Sequence, residues 1–148
     1  MFFFSCDKKR VFDEYEALNG KWKREEIVRF TFEQNDTITP YNLFFNIRNN
    51  NDYPFNNLFV IVSLKEPDNL VKVDTLEYAM ANPDGSLMGE GFSDNKENKL
   101  WYQENFVFKQ KGMYTIEIQQ ALRETGNVEG VEELDGITEV GFRIEKTK

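Results

Sequence analysis

The segment Tyr41-Asn42-Leu43-Phe44-Phe45-Asn46-Ile47-Arg48 determines the fold class of this chain. Apolar side chains recur at every second position along it, at Tyr41, Leu43, Phe45 and Ile47. The polar residues between them share the other face with Phe44. Because the side chains of a β-strand point alternately to its two faces, this pattern predicts a strand with one buried face.

Six further segments carry strand patterns, at 27–33, 58–64, 73–81, 100–108, 114–120 and 137–144. The run at 58–64 is almost continuously apolar, which predicts a strand that is covered on both faces. Turn residues rich in Asn, Asp, Pro and Gly separate the segments, for example at 50–54 and 82–85. Seven or eight short strands of this kind predict an all-β fold, an antiparallel β-sandwich of jelly-roll-like form.

Helix signals are scarce. Residues 11–18 have apolar side chains at helical spacing, so this segment forms either two helical turns or an irregular arm. We therefore expect a short N-terminal arm and little helix. The predicted organisation is an anchor and spacer over residues 1–20, followed by a single β-sandwich domain over 21–148. No stretch approaches the roughly 18 apolar residues of a membrane-spanning helix.

The composition excludes several classes of function. The chain has 148 residues and a net charge of −8, with no His and one Cys. Without His there is no Ser-His-Asp triad and no His-based metal site. The adjacent acidic residues match solvated loops better than a catalytic carboxylate pair. We expect no enzyme activity, metal or cofactor, and the negative charge argues against nucleic acid as a partner.

The single cysteine follows Phe3-Phe4-Ser5, and this segment resembles the end of a bacterial lipobox. A lipobox places a small residue before the cysteine that carries the lipid. The pattern predicts lipid attachment at Cys6. The alternative is a free thiol in a flexible end, since only three Phe precede Ser5 whereas an export signal has an apolar core of about 7 residues or more.

Two groups of aromatic residues are candidates for binding. Tyr53, Pro54 and Phe55 lie in a polar, Asn-rich loop, where they could anchor a partner or fix the loop in place. Trp22, Trp101 and Tyr102 could form a sugar-stacking platform, although the alternative for these residues is burial, which we expect for Trp101 in particular.

A short motif, Asp36-Thr37-Ile38, resembles the Asp-Thr-aliphatic sites that are O-glycosylated in the periplasm of Bacteroidota. Three residues match such a pattern often by chance.

An ordered set of short segments extends over nearly the whole chain. It runs through Arg10-Val11-Phe12-Asp13, Asn46-Ile47-Arg48-Asn49, Pro83-Asp84-Gly85, Lys99-Leu100-Trp101-Tyr102 and Gly136-Ile137-Thr138-Glu139-Val140-Gly141-Phe142. In this order the segments resemble the gliding-motility lipoprotein GldH family of Bacteroidota. Of the family's functional residues, only the lipidated cysteine transfers to this chain, as Cys6.

The resemblance implies a lipid-anchored protein of the cell envelope, with the membrane and the envelope proteins of the gliding machinery as partners. That machinery is linked to type IX secretion. Surface lipoproteins of Bacteroidota often carry an acidic signal after the cysteine, whereas Lys8-Lys9-Arg10 is basic. We therefore expect the periplasmic side, at the outer membrane rather than the inner one. The alternative function is a carbohydrate-binding β-sandwich module.

Overall fold

The alternating segment at 41–48 forms most of one of the long central strands, β4, which extends over Pro40–Asn49. In this computed structural model, residues 10–89, 91, 94–123 and 130–147 are described. Tyr41, Leu43, Phe45 and Ile47 are at most 5% exposed, so the alternating face is buried as the sequence predicts.

All regular structure in the described residues is β-strand; each of the seven predicted segments lies largely within a strand, and three further strands were not predicted. In chain order, the strands are β1 (Arg10–Ala17), β2 (Lys21–Lys23), β3 (Val28–Gln34), β4 (Pro40–Asn49), β5 (Asn57–Lys65), β6 (Val71–Ala79), β7 (Lys96–Val107), β8 (Gly112–Gln120), β9 (Glu133–Asp135) and β10 (Ile137–Lys146). The all-β prediction is confirmed.

Two four-stranded antiparallel sheets face each other, with strand orders β1-β10-β4-β7 and β3-β8-β5-β6. Counted over the eight long strands, the first sheet contains strands one, eight, three and six, and the second contains two, seven, four and five. This order is that of a jelly roll, in which two Greek keys are folded into a double sheet. The short strands β2 and β9 pair with each other beside the two sheets.

Phenylalanine fills the space between the sheets. The ring of Phe142 on β10 lies 5.5 Å from that of Phe45 and 5.6 Å from that of Phe32, which belongs to the facing sheet. Phe12 on β1 joins the same cluster, 5.5 Å from Phe32. Such large rings supply much of the apolar area that a core of this size can bury.

Two local predictions are wrong. Residues 11–18 form neither a helix nor an irregular arm, because Arg10–Ala17 is strand β1 and pairs with β10. Strand β5 is covered on one face only: Leu58, Val60, Val62 and Leu64 are buried, whereas the side chains between them are half-buried. That second face belongs to the outer surface of the sheet.

The two ends of the sandwich differ in the segments they carry. The basal end comprises the starts of β1, β4, β6 and β8, the ends of β3, β5, β7 and β10 and the connections 35–39, 66–70 and 108–111. The distal end comprises residues 18–27, 50–56, 80–89, 94–95, 121–123 and 130–136. Over the described residues, no helix has the length and hydropathy of a membrane span.

Candidate functional site

The loop that connects β4 and β5 at the distal end is rigidly built. The ring of Tyr53 is buried, and its hydroxyl donates a hydrogen bond to the carbonyl oxygen of Asn57. Burial raises the pKa of this hydroxyl above its usual range. Phe55 packs edge-on against the Tyr53 ring with centroids 6.1 Å apart. Tyr53 therefore fixes the loop, and its neighbours are held in place by it.

Gly136 makes this loop geometry possible. It has a φ of 90°, and a Cβ there would lie 2.3 Å from the backbone nitrogen of Tyr53. Its carbonyl oxygen accepts a hydrogen bond from the Asn50 amide at 2.9 Å. Only glycine combines the positive φ with so close an approach between two backbones.

Beside the loop lies an open cleft of about 450 Å³. Pro54, which is exposed, and Phe55, which is half-buried, form part of its wall. Ser86 and Leu87 of the β6–β7 connection and Lys96 at the start of β7 also line the cleft. The cleft thus combines the apolar side chains of Pro54, Phe55 and Leu87 with hydrogen-bonding groups and one ammonium group, so it can contact both apolar and polar parts of a ligand.

The three aromatic residues of the sugar-platform hypothesis do not meet. Trp22 on β2 is fully buried, and its indole nitrogen donates to the Glu26 carbonyl at 2.8 Å. Tyr102 is 8% exposed and packs on Phe45 inside the core. Trp101 is 51% exposed on the outer face of the same strand, so its expected burial is wrong. Consecutive strand residues point to opposite faces, and one platform cannot contain both Trp101 and Tyr102.

The sequence did not reveal a second feature, the ordered outer face of the sheet β1-β10-β4-β7. There Trp101 covers Phe44, with ring centroids 4.4 Å apart, and Phe44 is only 4% exposed. The Lys99 ammonium group lies 4.3 Å from the centroid of the Phe44 ring and pairs with Glu145 at 2.7 Å. The register of β4 against its neighbours brings these residues together, and that register cannot be read from any one segment.

The same face carries a charged network around Tyr15. The Tyr15 hydroxyl donates to Glu97, and the guanidinium group of Arg48 lies 4.1 Å above its ring. Burial, followed by the hydrogen bond to Glu97, raises the pKa of Tyr15 to about 12. Arg48 also pairs with Glu139. These acids are held in ion pairs across the strands, an arrangement that stabilises register rather than offering an acid and a base for catalysis.

Among the described residues, no group of three His, Cys, Asp or Glu side chains is placed to hold a metal ion. Cys6, the predicted lipid attachment site, lies outside the described residues.

The fold and its surfaces define the class of this protein: a jelly-roll β-sandwich with an open cleft among the loops of its distal end. The model of the GldH lipoprotein family matches residues 10–144, and the chain belongs to that family.

Two relatives match almost the full chain. The chain is 57% identical over 143 residues to the gliding motility lipoprotein GldH of Flavobacterium johnsoniae, covering 97% of this chain and 89% of that protein. It is 53% identical over 145 residues to a gliding motility lipoprotein GldH homolog of Christiangramia forsetii, covering 98% and 89%.

Among solved structures, a GH115 4-O-methyl-alpha-glucuronidase is similar with a TM-score of 0.48 and 15% identity, over all of this chain and 19% of that one. The infectious bursal disease virus VP2 subviral particle is similar with a TM-score of 0.46 and 13% identity, over 95% of this chain and 33% of that one. Likenesses of this size support no functional argument.

Proposed function

We propose that this protein is a non-enzymatic lipoprotein of the cell envelope that supports gliding motility by holding other envelope proteins at its distal end. The observation that carries the proposal is the match to the GldH lipoprotein family over residues 10–144, together with relatives named as gliding motility lipoproteins. The finer parts of the proposal concern the anchor, the side of the membrane and the docking surface.

The anchor is a lipid on Cys6, and the tether between it and the sandwich is short. Cys6 precedes the first residue of β1, Arg10, by four positions. A fully extended chain of that length reaches about 14 Å. Because β1 begins at Arg10, the spacer is shorter than the anchor and spacer expected over residues 1–20, and the sandwich is held close to the bilayer.

The folded domain faces the periplasm, and the membrane that holds its lipid is the outer membrane rather than the inner one. The basic segment Lys8-Lys9-Arg10 supports this side because it differs from the acidic signal found after the cysteine of surface lipoproteins. A membrane-impermeant labelling reagent should leave the protein unlabelled in intact cells and label it after lysis. Labelling in intact cells would contradict the periplasmic location.

Docking involves the distal cleft, because Pro54 and Phe55 are presented there on a loop that the buried Tyr53 fixes. Preorganised apolar anchors beside polar groups are typical of protein-binding surfaces. The buried Tyr53 side chain stabilises the loop, so a Tyr53 variant would test folding of the loop rather than binding of a partner.

Affinity capture from gliding cells tests the docking role. The double variant Pro54→Ser with Phe55→Ala should lose co-purifying envelope proteins and reduce the spreading of colonies. The matched control is Val73→Ser, which removes an apolar side chain that is 61% exposed on strand β6 and does not line the cleft. Recovery of polysaccharide without any envelope protein would favour the carbohydrate-binding alternative and contradict the proposal.

A further inference from the structure

The basal end of the sandwich contains Arg10, the first residue of β1, which follows Cys6 by four positions in the sequence. Arg10 pairs with Glu145 near the end of β10, and Lys146 pairs with Tyr41 near the start of β4. The five-residue connection 35–39 brings the end of β3 to the same end, and the four-residue connection 108–111 brings the start of β8 there. Every tether that starts at Cys6 therefore presents this end of the domain to the membrane.

Exposed apolar side chains are concentrated at this end. Among the described residues, eight large apolar side chains are exposed, and five of them lie at the basal end: Val11, Ile38, Leu70, Val71 and Met113. Ile38 is 85% exposed and Leu70 63%, both within connections between strands. In contrast, Ile27 is the one exposed large apolar side chain in the described part of the distal end. Isolated apolar residues on a surface are ordinary, whereas a concentration at one end indicates contact with something apolar.

The turn that carries Ile38 holds it outward. The carboxylate of Asp36 accepts hydrogen bonds from the backbone amides of Ile38 at 2.9 Å and Thr39 at 3.0 Å, and from the Tyr41 hydroxyl at 3.1 Å. With its backbone fixed in this way, the isoleucine cannot fold back onto the core.

The turn that carries Leu70 is built in a similar way. The Asp68 carboxylate accepts a hydrogen bond from the Leu70 amide at 3.0 Å, and the Leu70 carbonyl accepts one from the Glu66 amide at 2.8 Å. Asn69 has a φ of 71°, in the left-handed region that asparagine tolerates better than most residues. Both turns are thus rigid supports for an exposed apolar tip.

Charge separates the two ends as well. At the basal end, Lys65, Lys109, Lys111 and Lys146 are exposed and form no ion pair with any described residue. Of the carboxylates at this end, those of Glu66 and Glu145 are engaged by Lys72 and by Lys99 with Arg143. Those of Asp36 and Asp68 accept hydrogen bonds from backbone amides of their own turns, and Glu33, near the end of β3, is exposed. The described segments of the distal end hold eight Asp and Glu against four Lys and Arg. Lysines around exposed apolar side chains favour contact with an anionic bilayer surface. The acidic distal end would be repelled by such a surface.

We propose that the basal end lies on the phospholipid surface, with Ile38, Leu70 and Met113 in the interface and the surrounding lysines at the headgroups. This inference rests on the tether at Cys6 that the proposed function assigns. A lipid chain alone would hold the domain at the membrane in any orientation. Contact through the basal end fixes the orientation and directs the distal cleft away from the bilayer.

Tryptophan quenching by brominated lipids tests this contact. The full chain is coupled through the Cys6 thiol to a maleimide lipid in vesicles of dibrominated phosphatidylcholine and phosphatidylglycerol, so the assay does not depend on acylation in cells. Trp101→Phe removes the exposed native tryptophan, and Trp22 is buried. In that background Ile38→Trp reports on the basal end and Ile27→Trp, at an exposed isoleucine of the distal end, is the matched control.

The expected result is strong quenching and a blue shift for Ile38→Trp, with neither for Ile27→Trp. Replacing Leu70 and Met113 by Glu in the Ile38→Trp protein should abolish the quenching, and omitting phosphatidylglycerol should weaken it. If the tryptophan at position 38 stays in water, or if both positions are quenched equally, the contact does not exist. The anchor itself is tested separately, by measuring the mass of the native protein. An unacylated Cys6 would contradict the proposed anchor without affecting the quenching result.

Two other occupants of this end are also distinguished. A protein partner or a second copy of the chain at the basal end would leave position 38 in water on bare vesicles. A glycan on Thr37, detected by mass in the native protein, would likewise place this turn in water and overturn the proposal.

Discussion

Single residues decide the shape of both ends of this molecule. Gly136 illustrates this at the distal end, because its missing side chain lets the backbone pass directly beside Tyr53. Its contact partner is 83 positions away along the chain, so no local sequence pattern identifies this contact. Asp36 has the corresponding role at the basal end, where it holds the turn that presents Ile38.

Replacing Gly136 by Ala should be severely destabilising. The new Cβ would overlap the Tyr53 backbone, and the positive φ adds about 1 kcal/mol of strain. Gly20 is a matched control because it has a φ of 86° and no atom within 4 Å of the position that a Cβ would take. Chemical denaturation should show a loss of about 1 kcal/mol for Gly20→Ala and a clearly larger loss for Gly136→Ala. Equal losses would mean that the close contact is not real.

The turn around Asp36 should loosen in acid. Hydrogen bonds from Thr39 and then from Ile38 hold the pKa of the Asp36 carboxyl well below its usual range. A depressed pKa contributes stability that is present above the ordinary value of 3.8 and is lost as the pH falls below it. The amide chemical shifts of Ile38 and Thr39 should therefore move toward unfolded values only in strong acid.

At neutral pH the same turn can be tested by mutation. Asp36→Ala should accelerate hydrogen exchange at the amides of Ile38 and Thr39, since both lose their acceptor. Asp36→Asn keeps an acceptor oxygen and should retain most of the protection. If both variants exchange like the native protein, the carboxylate does not hold the turn.

Among the elements, the long central strands could be predicted and the first strand could not. Segments such as 41–48 and 114–120 alternate clearly because one face of each strand is buried. Strand β1 is different, since it lies at the edge of its sheet and buries mainly Phe12. Its charged residues Asp13, Glu14 and Glu16 obscure the alternation, which made two helical turns an equal interpretation.

If β1 is an integral strand, Phe12→Ala should lower the free energy of unfolding by about 2 kcal/mol, somewhat less than a fully buried phenylalanine would cost. Its ring lies within 5.9 Å of both Phe32 and Phe142. Glu16→Ala, at an exposed position of the same strand, should change stability by no more than about 0.5 kcal/mol. If the two variants unfold at the same urea concentration, Phe12 does not contribute to the core and β1 is not an integral strand.

The candidate site was predicted less completely than the fold. The loop 53–55 could be found because aromatic residues stand out in an Asn-rich turn. The different roles within it, with Tyr53 buried and Pro54 exposed, depend on Gly136 and on the β6–β7 connection. Composition alone also joined Trp22, Trp101 and Tyr102 into one platform, which the alternation of strand side chains rules out.

At the scale of the whole molecule, the net charge of −8 is unevenly distributed between the two ends of the sandwich. Exposed lysines and apolar side chains occupy the basal end, and the acidic segments and the cleft occupy the distal end. Such an arrangement suits a protein that is fixed to a bilayer at one end and presents a binding surface to neighbouring envelope proteins at the other. The fold itself supplies the separation between the two surfaces.

The proposed role of the whole molecule depends on the lipid at Cys6, which can be detected in the mass of the mature N-terminal peptide. The protein is isolated from envelope membranes of the native cell and digested. We predict a peptide that begins at Cys6 and carries an acylated, diacylglyceryl-modified cysteine, and we predict that Cys6→Ser releases the protein from the membrane fraction. A native peptide with Ser5 still attached to an unmodified Cys6 thiol would contradict the lipid anchor.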